Sequence, residues 1–351
     1  MSFHCYTNSY SSGSGTEYIL ENDFTGITLT NSSTFWGIST AGASNSVKYI
    51  HDNMISDING QGSFYGIRAN SSSTFFIYDN TISGINNNEF VHCISYGSSD
   101  AVIHIYNNLI TDITANTQSG NITGIYISGG VSTAYIYNNF ISDLKTPLSA
   151  RSDAITGAYL SSNQTNSFIG FYYNTIYINA QSTATNFGTT GILHVANNTS
   201  TTGLLDMRNN IIVNTSEAKG NNSYTSVLKR NNYYLENFSE ASNNNILYAG
   251  EPGQKNVIYL YSNITFKTID DYKAHVAPRE SNSFSEDTPF VNTTTIPFDL
   301  HLKTDVPTLA EGGGQQINTP IAITVDYDGD PRSGTNPDIG ADEFDGISNF
   351  L

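Results

Sequence analysis

The chain has 351 residues, enough for one large or two ordinary domains with a sizeable core. A hydrophobic share of 38% and an aromatic share of 12% exclude a disordered chain, while charged residues make up only 13%, about half the usual share. The net charge of −17 excludes nucleic acid and anionic membranes as partners, because both need basic patches, and makes anionic polysaccharides poor ligands unless calcium bridges.

Asn, Ser, Thr and Gly replace the charged residues and favour turns and strands over helices. The two cysteines, Cys5 and Cys93, give neither metal-ligand spacing nor a disulfide scaffold. No apolar run reaches the roughly 20 residues of a bilayer span, so no transmembrane segment is expected. Met1 opens directly onto "SFHCYTNSY" without a signal peptide, so the chain reads as a mature or excised segment. Sequons such as Asn121-Ile-Thr and Asn163-Gln-Thr are expected by chance in this composition.

In chain order, one phrase recurs. Its second asparagine falls at Asn22, Asn53, Asn80, Asn108, Asn139, Asn174 and Asn210, with gaps of 31, 27, 28, 31, 35 and 36 residues. A shorter echo, "KRNNYYL", places Asn232 next. A second phrase interleaves: Gly37-Ile38, Gly66-Ile67, Gly124-Ile125, Gly157-Ala158 and Gly191-Ile192 precede the anchors by 14 to 19 residues, and Cys5 and Cys93 fill the same slot. Both phrases hold register while the segments between them vary, so each repeat holds two fixed strands and at least one variable loop. Within "IHIYNNLITDI" (103–113) apolar and polar residues alternate, which is strand periodicity.

Units of this size cannot each bury a face alone, but stacked they can. The predicted fold is all-β: a right-handed parallel β-helix with a C-terminal capping region. A sandwich gives no reason for a fixed period, and a propeller wants longer blades. Coils of about 27–36 residues fill 1–216; last coils, a short helix and a C-terminal cap fill 217–351. Ile55, Ile82, Ile110, Ile141, Ile176 and Ile212 form one inward stack, and Ile50, Ile77, Ile105, Ile136, Phe171 and Met207 another. The seven asparagines form a corner ladder at the left-handed bend, which Asn tolerates. Cys5 and Cys93 lie three rungs apart, roughly 14 Å, beyond the roughly 7 Å reach of a disulfide, so both are expected as free thiols. "TFKTIDDYKAHV" (265–276) predicts a helix with Thr268 as N-cap and Asp271 at the capping-box position. The chain starts mid-solenoid with the Cys5 slot already in register, so self-association through an uncapped first coil is expected.

"RNNIIVNTS" (208–216), "RNNYYL" (230–235), "TIDDYKAHV" (268–276), "DLHL" (299–302) and "VDYDGDPRSGTNPDIGADEF" (325–344) resemble, in that order, the C-terminal part of secreted right-handed parallel β-helix proteins of the Bacteroidota type, the choice-of-anchor Q domain proteins. The resemblance covers roughly the last 145 residues and implies a secreted or cell-surface location. It brings no catalytic residue set.

Candidate chemistry is sparse. Lyases need a cationic base and a second cation on one face, yet residues 1–200 hold only Lys48, Arg68, Lys145 and Arg151, and Arg68 stacks with Ser39, Ser95, Tyr126 and Tyr159. Asp52 and Asp79 in adjacent coils resemble a hydrolase pair, but Asn107 and Asn138 follow in the same slot, as a structural corner would have it. "DYDGD" offers Asp326, Asp328 and Asp330 as candidate calcium ligands, with Asp338, Asp342 and Glu343 close in sequence; the competing reading makes these acids turn caps and partners of Arg332. The outward column Tyr78, Tyr106, Tyr137 and Tyr172, with His51, forms an aromatic strip that can meet sugars or shield its own sheet. The functional expectation is a non-catalytic structural or adhesive protein of the cell surface, with polysaccharide or cell-surface components as partners. A polysaccharide lyase or glycoside hydrolase is the alternative, and an end-to-end filament subunit a second one.

Overall fold

The computed structural model describes residues 2–8, 14–42, 45–71, 74–196 and 202–350. It is a parallel β-solenoid of about 8 turns, 49% strand and 2% helix. Sheet 1 holds ten strands, from Ser2–Asn8 to Ile264–Phe266; sheet 2 holds seven, from Thr16–Leu20 to Leu204–Arg208; sheet 3 holds ten, from Asp23–Thr28 to Ile246–Tyr248. One coil runs through Val91–Ser99 in sheet 1, Val102–Tyr106 in sheet 2, and Leu109–Ile110 with Ile113–Ala115 in sheet 3.

Both expected core stacks are in register and fully buried. Burying each such side chain contributes about 1.5–3 kcal/mol. The Gly-Ile phrase lies in sheet 1, where the glycine backs onto the isoleucine of sheet 3. A Cβ on Gly66 would sit 2.9 Å from Ile82 Cδ1 and 2.5 Å from the Cys93 carbonyl oxygen. Cys5 and Cys93 fall in this glycine column, and both are free.

The asparagine ladder is continuous. Each carboxamide donates from Nδ2 to Oδ1 of the next anchor, from Asn22 to Asn210, at 2.8–3.1 Å. Two details differ from expectation. The anchors are not themselves the left-handed residues: that conformation belongs to the residue before each, Glu21, Asp52, Asp79, Asn107, Asn138, Tyr173 and Asn209, with φ of 50–58°. The bend must precede the anchor so that its carboxamide can turn inward and cap strand carbonyls, as Asn108 does for Ile77 and Tyr106. The eighth member is Asn245, accepting from Asn210 at 2.9 Å, and not Asn232. The echo "KRNN" ends the sheet 1 strand Thr225–Arg230, and Asn232 bonds the Ala196 carbonyl instead.

Helix α1 (Ile269–Val276) starts at Thr268, whose side chain accepts from the Asp271 amide, as expected. It buries Tyr272 and Val276 in the main core and, with the antiparallel pair Asn256–Tyr261 and Ile264–Phe266, closes the last coil. The donor end of the ladder finishes at a fully buried carboxylate, Glu280, which accepts from Asn245 Nδ2 at 2.9 Å, from Ser283 and from Tyr272. Burial pushes Glu280 from 4.5 up to about 7. The native state therefore holds this proton more tightly than the unfolded chain. The resulting stability is full below about pH 4.5 and is lost as pH rises through about 7. In Glu280→Gln that loss disappears. The unfolding free energy of the variant minus wild type is expected to rise by roughly 2–3 kcal/mol from about pH 5 to pH 8. His92 and His194, whose pKa values burial depresses, change the pH profile of both proteins alike and cancel in this difference. Urea titrations across that range would refute the assignment if the difference stayed flat.

The remainder of the C-terminal region does not sit on the end of the solenoid. It folds back along its side as a strap. Phe290, Leu300, Leu302, Ala310, Ile339 and Ala341 pack on Phe140, Tyr177, Ile211, Val213 and Ile246 of the sheet 3 strands. The reason lies in those strands: "TIYI" (175–178) and "IIVN" (211–214) put Tyr177, Ile211 and Val213 on the outer face, which needs a cover, whereas "MISDIN" (54–59) puts Ser56, Asp57 and Asn59 there beside the exposed Met54.

Candidate functional site

The tyrosine column forms as expected over three coils. His51–Tyr78 ring centroids lie 4.5 Å apart, Tyr78–Tyr106 4.8 Å and Tyr106–Tyr137 4.8 Å, with planes within 10° of parallel. Tyr172 shares the column by register but not by surface: it is fully buried, its hydroxyl donates to Asp206 at 2.8 Å, and Arg208 sits over its ring. Its ring leans across Gly170, where any Cβ would fall within 2.5 Å of it. The strap completes the cover, as Ile317 and Ile323 pack with Tyr172 and Tyr173, and Tyr135, Tyr137 and Phe168 border that cluster.

A second column runs beside the first. Tyr18, Tyr49, Phe76 and His104 stack at 4.6–5.0 Å on the same outer face of sheet 2, and Tyr135 continues the column at 5.1 Å with its ring tilted by 45°. Its signal was in the phrases all along, two residues before the first column, because strand residues two apart share a face. The uncovered strip is therefore two rings wide across the first coils. Stacking hides ring faces and turns edges and hydroxyls outward. Among the described residues of the two columns, Tyr18, at the end of its own, is the most exposed, at 62%. Burial, then neighbouring rings and acids, raises the hydroxyls of Tyr78 and Tyr106, so both remain protonated donors at neutral pH.

Asp52 and Asp79 occupy the left-handed corner beside this strip. Asp52 pairs with His51 at 2.6 Å; burial, against a hydrogen bond from Asn107, raises Asp79. Asn107 and Asn138 continue the slot with the same φ, so one backbone demand accounts for acids and amides alike. Arg68 lies over Trp36 at 4.7 Å and Tyr65 at 5.5 Å, a cation–π contact on sheet 1.

The "DYDGD" segment forms a capped turn. Asp326 is fully buried; its Oδ1 accepts from the Asp328 and Asp330 amides at 3.0 and 2.7 Å, and its Oδ2 from the Glu343 amide at 2.9 Å. Three amides take up both oxygens, so Asp326, Asp328 and Asp330 do not converge as a calcium loop. Arg332 pairs with Glu343 at 3.2 Å, as the turn-cap reading has it, and among the described residues no ion pair joins it to Asp326, Asp328 or Asp330. It also donates to Asn138 Oδ1, caps the Gly340 carbonyl and stacks on Tyr173 at 3.8 Å. The strap thereby grips the left-handed corner residues, with further bonds from Asn209 to the Gln315 carbonyl and from Asn244 to the Gly313 carbonyl. Asp328 faces elsewhere, toward His301 and Asp342.

No family model matches this chain, and neither curated proteins nor solved structures give a match. Function must therefore be argued from the strip, the corner and the strap themselves. No helix among the described residues is long and apolar enough to cross a membrane.

Proposed function

We propose that the chain is an extracellular, non-catalytic structural and adhesive module of the bacterial cell surface, and that the uncovered part of sheet 2 is its glycan-contact face. The observation that carries this reading is the double aromatic strip, repeated coil by coil and left bare where the strap stops. A polysaccharide laid along the solenoid axis would meet one phenol edge and hydroxyl per rung, at a spacing close to its own sugar repeat. The charge of −17 favours a neutral glycan over an anionic one. The resemblance of residues 208–344 to secreted β-helix proteins supports the location.

The test is binding of the purified chain to immobilised neutral polysaccharides, with cleavage products assayed in parallel. Removing one hydroxyl in Tyr78→Phe or Tyr106→Phe keeps the ring stack and is expected to weaken binding about two- to tenfold each. Release of oligosaccharide would overturn the non-catalytic part, and unchanged binding in both variants would remove the strip as the contact face.

A further inference from the structure

The strap brings together three metal-ligating side chains that are distant in sequence. His301 stands on the strand Asp299–Leu302, Asp328 on the capped turn, and Asp342 in the closing segment; one donor atom from each lies within 4.8 Å of the others. We propose that His301, Asp328 and Asp342 form a site for a divalent transition cation of the zinc class.

The placement of each group is fixed by something other than its neighbours in the site. Asp326 holds the Asp328 amide through Oδ1 and the Glu343 amide, next to Asp342, through Oδ2, so one buried carboxylate ties two ligand-bearing segments together. Asp342 is 6% exposed. One of its oxygens accepts from the Leu302 amide at 2.9 Å, and the other receives no hydrogen bond from the described residues. That oxygen keeps its lone pairs free beside an imidazole and a second carboxylate, the donor set a cation needs. Nδ1 of His301 faces Asp299 at 2.5 Å. A ligating histidine engages a carboxylate in this way, which fixes the tautomer and leaves Nε2 to the metal. Nε2 lies 2.8 Å from Asp328 Oδ2, so the imidazole and this carboxylate already face each other at the place a cation would take.

One imidazole and two carboxylates suit zinc or manganese better than calcium, which prefers six or more oxygens. Three protein ligands leave a position open. His301 also lines a cavity of about 500 Å³ with Phe140, Phe298, Ile296 and Tyr327, so the open position adjoins an apolar recess.

The experiment is calorimetric titration of the tag-free, chelator-stripped chain with Zn²⁺, Mn²⁺ and Ca²⁺ at neutral pH, with Co²⁺ absorption as a second readout. The expected result is one equivalent of Zn²⁺ bound, with proton release and weaker binding at lower pH. Asp328→Asn, at a half-exposed position, should abolish saturable binding without lowering the melting temperature of the metal-free protein. Asp299→Ala, which acts only through His301, should weaken binding about 10- to 100-fold. Asp330→Asn should change nothing. No saturable Zn²⁺ binding by wild type, equal binding by Asp328→Asn, or tighter binding of Ca²⁺ than of Zn²⁺ would each overturn the proposal.

Discussion

Replacing Asn139 by alanine is expected to cost about 3–5 kcal/mol of unfolding free energy, the range reached when a buried hydrogen-bond network is broken. Asn139 lies in the middle of the ladder and is fully buried. Its Oδ1 accepts from both the backbone and the side chain of Asn108, each at 3.0 Å, and its Nδ2 donates to Ile105 O, Tyr137 O and Asn174 Oδ1 at 2.9–3.0 Å. Alanine removes all five bonds and leaves buried donors and acceptors on three coils, each orphan costing about 1–3 kcal/mol before relaxation. Water cannot readily reach them, because the neighbouring anchors are buried as well. The same change at Asn22, on the first coil and only partly buried, loses two bonds, to Leu20 O and Asn53 Oδ1, while Asn53 Oδ1 keeps the Asn22 amide as a donor, and is expected to cost about 1 kcal/mol. Guanidinium chloride unfolding of the two variants against wild type would decide. Equal costs would show that the ladder acts coil by coil and not as a buried network.

Arg332→Ala is the second large effect, about 3–5 kcal/mol, because breaking a buried ion pair also leaves Asn138 Oδ1 and the Gly340 and Ala341 carbonyls without the guanidinium that faced them. The guanidinium is buried between Tyr173, Asn138, Glu343 and the Gly340 and Ala341 carbonyls. The damage should be local. The solenoid keeps its own ladder and core stacks, while the strap loses its pin on the corner. Limited proteolysis is therefore expected to release fragments from about residue 303 onward in the variant and not in wild type, with the far-ultraviolet β signature retained. Global unfolding at the same rate as cleavage would show that strap and solenoid form one cooperative unit. Arg332→Lys should behave nearly as alanine, since an ammonium cannot stack on Tyr173 while bonding carbonyls on two sides.

The solenoid was legible because its determinants are local and repeated. A period-two pattern assigns Ile105 inward and Tyr106 outward without knowledge of any other coil, and the recurrence of Asn108 supplies the stacking register. Even the cysteine separation followed from counting rungs. The errors came where a local resemblance met a non-local decision. "KRNNYYL" looks like the corner phrase, yet pairing of Thr225–Arg230 with Thr189–Val195 assigns it to sheet 1 and passes the ladder to Asn245. Tyr172 looks like the next tyrosine of the column, yet Gly170 and Asp206 in neighbouring strand positions draw it flat and under the strap.

By itself, then, the sequence determined the coil: which residues face in, which face out, and where each rung turns. These depend on alternation, on residue volume and on the conformational tolerance of Asn, Asp and Gly. Only the tertiary structure decided where the last 70 or so residues go, and with them which part of the aromatic strip stays bare and which of the acids converge. Asp326, Asp328 and Asp330 are neighbours in sequence but serve a turn. His301, Asp328 and Asp342 are far apart and meet. The difference is that a strap is placed by apolar burial on sheet 3 and by Arg332 at the corner, and the Arg332–Asn138 contact joins positions 194 residues apart, a separation no local pattern encodes.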